Sequence, residues 1–165
     1  MNNPDVEKSL LDCQDDLNRV KNIIDSMGIM SNVVPYLNKY AIIRACGAIE
    51  VGFKTIIADC CSNGSNLQVR KFINAKVREN SMNPRYSLML KLAEEFDEVW
   101  AKSFKSKVNA HIKKDEILSS LESLVDCRNE FAHGGNPNPS VYDVIKYFND
   151  AKIFIAILDE VVVQA

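Results

Sequence analysis

The chain has 165 residues, a hydrophobic content of 47% and a formal net charge of −2. That is one domain's length with apolar material for a sizeable core, which excludes an intrinsically disordered chain. The near-neutral charge excludes a global basic field, so any RNA contact must rest on a local basic patch.

Helical periodicity dominates from end to end, and the residues from 1 to 165 read as a single domain. Pro4-Asp5 opens a first helix carrying Leu10, Leu11, Leu17, Val20, Ile23, Ile24 and Met27 at three- and four-residue steps, and Gly28 ends it. Ser31 is the expected cap of a second helix running to about Cys61, with Pro35 in its first turns. Residues 62–66, Ser-Asn-Gly-Ser-Asn, form a turn cluster. A shorter helix is expected over about 67–78, and Asn83-Pro84 breaks the chain again. The fourth helix is expected over about 86–103 and the fifth over about 113–133. After the loop 134–139, Ser140 caps a last helix to about Val162, with Asp143 three residues on as a capping-box variant. Val161-Val162-Val163 alone has local strand character. The expected architecture is all-α, an up-down bundle of five or six helices.

Five cysteines, Cys13, Cys46, Cys60, Cys61 and Cys127, are odd in number and fall mostly within helical patterns. They predict reduced thiols in a cytoplasmic protein, with Cys60 and Cys61 as small core residues. No cysteine or histidine spacing fits a zinc site, so no metal and no cofactor is expected. The polar N-terminus carries no signal-peptide pattern, and no apolar run is long enough to span a membrane.

The chemistry concentrates in Arg128-Asn129-Glu130-Phe131-Ala132-His133-Gly134. On a helical wheel Ile117, Leu118, Leu121, Leu124, Val125, Phe131 and Ala132 form one apolar stripe, and Arg128 falls in its middle. An arginine there is either paired with a carboxylate or aimed into a cleft. Asn129 and His133 are four apart and share a face, whereas Arg128 and His133 lie about 140° apart on an ideal helix. They converge only if the helix end unwinds or a second helix meets the first, as in a symmetric dimer. Histidine moves protons near neutral pH, arginine offers a fixed fork to phosphate oxygens, and the asparagine amide positions a phosphate or fixes the histidine tautomer. The plainer alternative is that both cationic residues complement the helix dipole, with Gly134 ending the helix.

This run resembles the Rx4-6H signature of HEPN domains (higher eukaryotes and prokaryotes nucleotide-binding), and the chain is similar to HEPN proteins of the RiboL-PSP and MAE types. The resemblance covers about residues 31–162 and leaves residues 1–28 as an added helix. It implies a homodimer with a composite cleft, RNA as substrate, and products bearing a 2′,3′-cyclic phosphate and a 5′-hydroxyl. It places Arg128, Asn129 and His133 at the catalytic positions, and it implies a toxin or anti-phage role with a cognate antitoxin or defence partner. A non-catalytic module binding RNA, a nucleotide or a protein partner is the alternative. A third route, modification of an RX4HXY tyrosine, lacks its tyrosine because position 135 is Gly135, and Tyr142 lies too far on.

The second helix is apolar nearly all round. Ile42, Cys46, Ile49, Phe53, Ile56 and Ile57 make one stripe, and Tyr40, Gly47, Ala48 and Val51 an opposite, mostly small face. Arg44 and Glu50 are therefore candidates for cleft support, like the polar element some HEPN families carry on an early helix. Glu50 and Lys54 otherwise form an ordinary i,i+4 bridge. Lys102, Lys105, Lys107, Lys113 and Lys114 are candidate RNA-backbone contacts, with Phe104 as a base-stacking ring and His111 among them, or else a solvated connector. Arg70, Lys71, Lys76 and Arg78 form a second basic group, and Trp100 reads as a core anchor.

Overall fold

The computed structural model describes residues 1–164. Among them are seven α-helices and one π-helical turn, and no strand. The helices are α1 (Pro4–Met27), α2 (Val34–Ser62), α3 (Leu67–Ile73), α4 (Tyr86–Phe96), α5 (Glu98–Ala110), α6 (Lys114–Ala132) and α7 (Val141–Gln164), with the π turn at Asn74–Arg78. The all-α bundle expected from periodicity is the observed fold.

Local chemistry sets the helix starts. Asn3 accepts from the Val6 amide at 3.1 Å to open α1, and Asn66 accepts from Val69 at 2.9 Å to open α3. Ser140 and Asp143 make the expected reciprocal cap of α7: the Ser140 amide donates to the Asp143 carboxylate at 2.9 Å and the Asp143 amide to Ser140 Oγ at 3.2 Å. Gly28, at φ 81°, ends α1.

Three expectations change. The single helix expected over 86–103 is two, because Asp97 is extended (φ −159°, ψ 117°) and its side chain caps the Val99 amide at 2.6 Å and the Trp100 amide at 3.3 Å. Ser31 is not the cap residue of α2: the first helical residue is Val34, the cap position is Val33, and Ser31 Oγ accepts only from the Val33 amide, at 3.4 Å, ahead of the helix. Residues Val161–Val163 are helical, since Val161 and Val162 are buried in the core and packing overrides local strand preference.

One apolar core runs through the bundle, and α2 and α7 pack most extensively at its centre. This explains the two-sided apolarity of α2, which touches α1, α3, α6, α7 and the π turn. Helix α1 is part of the same core through Val6, Leu10, Cys13, Leu17, Val20 and Ile24. Phe104 is fully buried against Phe53 and Tyr86, so it has no face to offer a base. Trp100 is a core residue. No helix among the described residues is long and apolar enough to cross a membrane, and no group of described histidines, cysteines or acids could hold a metal ion.

Candidate functional site at the end of helix α6

Helix α6 delivers its last two turns to the edge of the core. Ile117, Leu121, Leu124 and Val125 are fully buried, and Arg128 follows them on the same face, half-buried. The apolar stripe does not continue past it, because Phe131 is 37% exposed and Ala132 is exposed. Arg128 therefore stands where the core opens to solvent.

Its guanidinium is held from two sides. Nη1 donates to Asn129 Oδ1 at 3.0 Å, and Nη2 lies 3.8 Å from Glu50 Oε2 on α2. Glu50 is itself fixed: its Oε1 accepts from Lys54 Nζ and from the Met82 amide, both at 2.9 Å. Lys54 Nζ donates further to the Asn80 carbonyl at 2.7 Å. The i,i+4 bridge expected between Glu50 and Lys54 exists, but it is buried and serves as a platform for Arg128. Cys46, one turn before Glu50, is a neutral thiol whose pKa burial pushes up to about 12, against the opposing field of Arg128.

His133 follows the last residue of α6. Its backbone (φ −93°, ψ 14°) has left the helix, its amide donates to the Asn129 carbonyl at 3.0 Å, and its ring is exposed. Among the described residues its ring makes no hydrogen bond, so within one chain hydrogen bonding joins Arg128 to Asn129 but not to the His133 ring. Gly134 (φ 83°) and Gly135 complete the turn. The Gly135 amide donates to the Glu130 carbonyl at 2.8 Å, and a Cβ on Gly135 would sit 2.5 Å from Glu130 Cγ and 2.8 Å from that carbonyl oxygen. This turn has no room for the tyrosine of an RX4HXY pattern.

The other candidates lie elsewhere. Arg44 faces α1, where its Nε donates to Asp16 at 2.9 Å, and it has no contact with the motif. The lysine group is at the opposite end of α6: Lys114 and Arg128 are about 21 Å apart along the helix axis. Lys102 pairs with Glu98 and Lys107 with Glu160, each at 3.0 Å, and Lys113 lies 3.9 Å from Glu116, so acids of other turns break up a group that is continuous in sequence.

A basic and aromatic group nearer the motif was not anticipated. Lys39 on α2 places Nζ 5.5 Å from the Phe131 ring centre and 5.8 Å from that of Tyr36, which is 71% exposed. The sequence signal was Tyr36, Lys39 and Tyr40 at three- and four-residue spacing, one exposed face of α2.

The chain matches the family model described as RiboL-PSP-HEPN over residues 5–164. That span takes in α1, which packs in the same core as the remaining helices. No curated protein and no solved structure matches the chain.

Proposed function

Because the chain belongs to the RiboL-PSP-HEPN family, we propose that it is an endoribonuclease that works without a metal ion. The observation that carries this reading is the arrangement at the end of α6: Arg128, held by Asn129 and Glu50 where the core opens, with the exposed ring of His133 one helical turn beyond. A base removes the 2′-hydroxyl proton, the 2′-oxygen bonds to phosphorus, and the bond to the 5′-oxygen breaks as that oxygen takes a proton. The products are a 2′,3′-cyclic phosphate and a 5′-hydroxyl. His133 handles protons, Arg128 neutralises charge on the phosphorane oxygens, and Asn129 aims the guanidinium.

One chain leaves Arg128 and His133 apart, so the reading includes a homodimer whose cleft combines both motifs. The support for a second copy is the exposed apolar row of Tyr40, Ile43 and Val51 along α2, with half-buried Gly47 between them, beside Arg128's partner Glu50. A role in growth inhibition or anti-phage defence, regulated by a partner protein in the reducing cytoplasm, follows from the same reading. A second reading, a non-catalytic RNA-binding or protein-binding module, is favoured by one observation: the pairing of Arg128 with Glu50, which would also serve a purely structural arginine.

Cleavage of RNA in EDTA by the wild type, beside His133→Ala, decides between them. Cutting by the wild type only, with cyclic phosphate ends, is expected. Equal cutting by the variant, or none by either across several RNA classes, would sink the catalytic reading.

A further inference from the structure

Beside the motif loop is a cavity of about 700 Å³ between the end of α1, the first turns of α2 and the chain just before and into α7. This is the size of a small-molecule site. Its chemistry is distinctive: no charged residue lines it, in a chain that is 25% charged. Ile29, Met30 and Pro137 supply apolar wall, and Asn38, Asn136 and Asn138 supply carboxamides. A second cavity of similar size, near the N-terminus, is lined instead by Asp59, Asp159 and Arg70.

Asn38 carries a second, independent observation. Its Oδ1 is buried and has no hydrogen-bond partner among the described residues. Buried acceptors are almost always satisfied, so an orphan at a cavity wall marks where a donor is missing. Position matters as well. Asn136 is three residues after His133, so even a fully extended chain keeps the two Cα atoms within about 11 Å.

We propose that this cavity receives one nucleobase of the RNA strand, beside the phosphate presented to His133, and that it favours adenine. A base is flat and neutral with donors and acceptors on its edge, which matches an uncharged apolar cleft fitted with amides; a phosphate would seek a cation that the lining lacks. Unstacked bases of single-stranded RNA are read in such pockets through their edges. A carboxamide meets the adenine amino group and its neighbouring ring nitrogen together, and turning the Asn38 side chain into the cavity would give its buried, unpartnered Oδ1 that donor. That the strand is RNA rests on the ribonuclease reading, whereas base selection does not depend on catalysis.

The test uses full-length His133→Ala protein and fluorescein-labelled RNA tetranucleotides of uridine, varied only at the third position among A, C, G and U. Anisotropy titration is expected to show the adenine probe bound about tenfold tighter than the all-uridine probe. Asn38→Leu and Asn136→Ala, each added to that background, are expected to bring the four probes within about twofold of one another, with helicity and unfolding midpoint confirming a retained fold. Equal binding of the four probes, no binding of any, or selectivity that survives both substitutions overturns the proposal. The two readings fail separately. A wild type that cuts RNA with no base preference at its cut sites removes the pocket and keeps the ribonuclease. A protein that selects adenine but never cuts keeps the pocket and removes the ribonuclease.

Discussion

Glu50 and Arg128, on different helices and 78 positions apart in sequence, face each other across 3.8 Å, and the Glu50 oxygen that does not face Arg128 is occupied by Lys54 and the Met82 amide. One carboxylate thus organises both the interior lysine and the motif arginine. Glu50→Ala leaves Lys54 buried without its charge partner and should lower unfolding free energy by about 3 kcal/mol. Glu50→Gln keeps an acceptor for the Met82 amide and should lose less. Urea denaturation of both variants, run with RNA cleavage assays, tests this. An alanine variant as stable as wild type would show that the network contributes nothing.

Composite catalysis predicts complementation. Arg128→Ala and His133→Ala are each expected to be inactive alone. After unfolding and co-refolding, mixed dimers hold one intact arginine and one intact histidine and should recover a measurable share of cleavage. No recovery, with mixed dimers demonstrated by mass, would place each motif's work within its own chain.

The turn after His133 makes unequal demands on its two glycines. Gly134→Ala forces a side chain into the left-handed region and should cost roughly 1–2 kcal/mol. Gly135→Ala meets the Glu130 backbone oxygen at 2.8 Å, which cannot swing aside, so it should cost at least as much and displace His133 as well. Thermal unfolding and cleavage rates measured together check the order. A neutral Gly135→Ala would show that the turn relaxes freely.

On the ribonuclease reading two basic groups are candidates for the RNA backbone, and salt dependence separates them. Lys39→Ala, beside the motif, should weaken RNA binding and reduce the slope of log affinity against log salt by about one. Replacing Lys102, Lys105 and Lys107 together should change affinity little, because Lys102 and Lys107 already pair with Glu98 and Glu160. The opposite ranking would move the strand to the α5 end of the bundle.

Burial raises the thiol pKa values of Cys13 to about 11 and Cys46 to about 12. The unfolded thiols ionise near 9.0, so the folded state holds these protons longer. Their contribution to stability is complete below pH 9 and is lost as pH rises toward 11 and 12. The unfolding midpoint of the wild type should therefore fall above pH 9 more steeply than that of a Cys13→Ala/Cys46→Ala variant. Parallel curves for the two proteins would contradict the assignment.

Much of the fold was legible because its signals are short-range. The reciprocal cap of Ser140 and Asp143, the stop at Gly28 and the 3.6-residue spacing of buried residues each act within a turn or two of chain. The break at Asp97 was local too, an N-cap aspartate set inside a continuous apolar pattern, and the pattern hid it. Helical periodicity also placed Arg128 on the face of the buried stripe, but in its middle; the structure finds it at the stripe's end, because Phe131 and Ala132 are exposed.

The all-α class, most helix positions and the placing of Arg128, Asn129 and His133 at the end of a helix were all written in the chain's local pattern. What those residues meet came from the packing of the helices. It turned Glu50 toward Arg128 and Arg44 toward Asp16, and buried Phe104 between other rings. Spacing along a helix specifies which residues share a face. Which face meets which neighbour depends on how the helices cross and rotate to fill a common core, and that is settled by packing across distant parts of the chain.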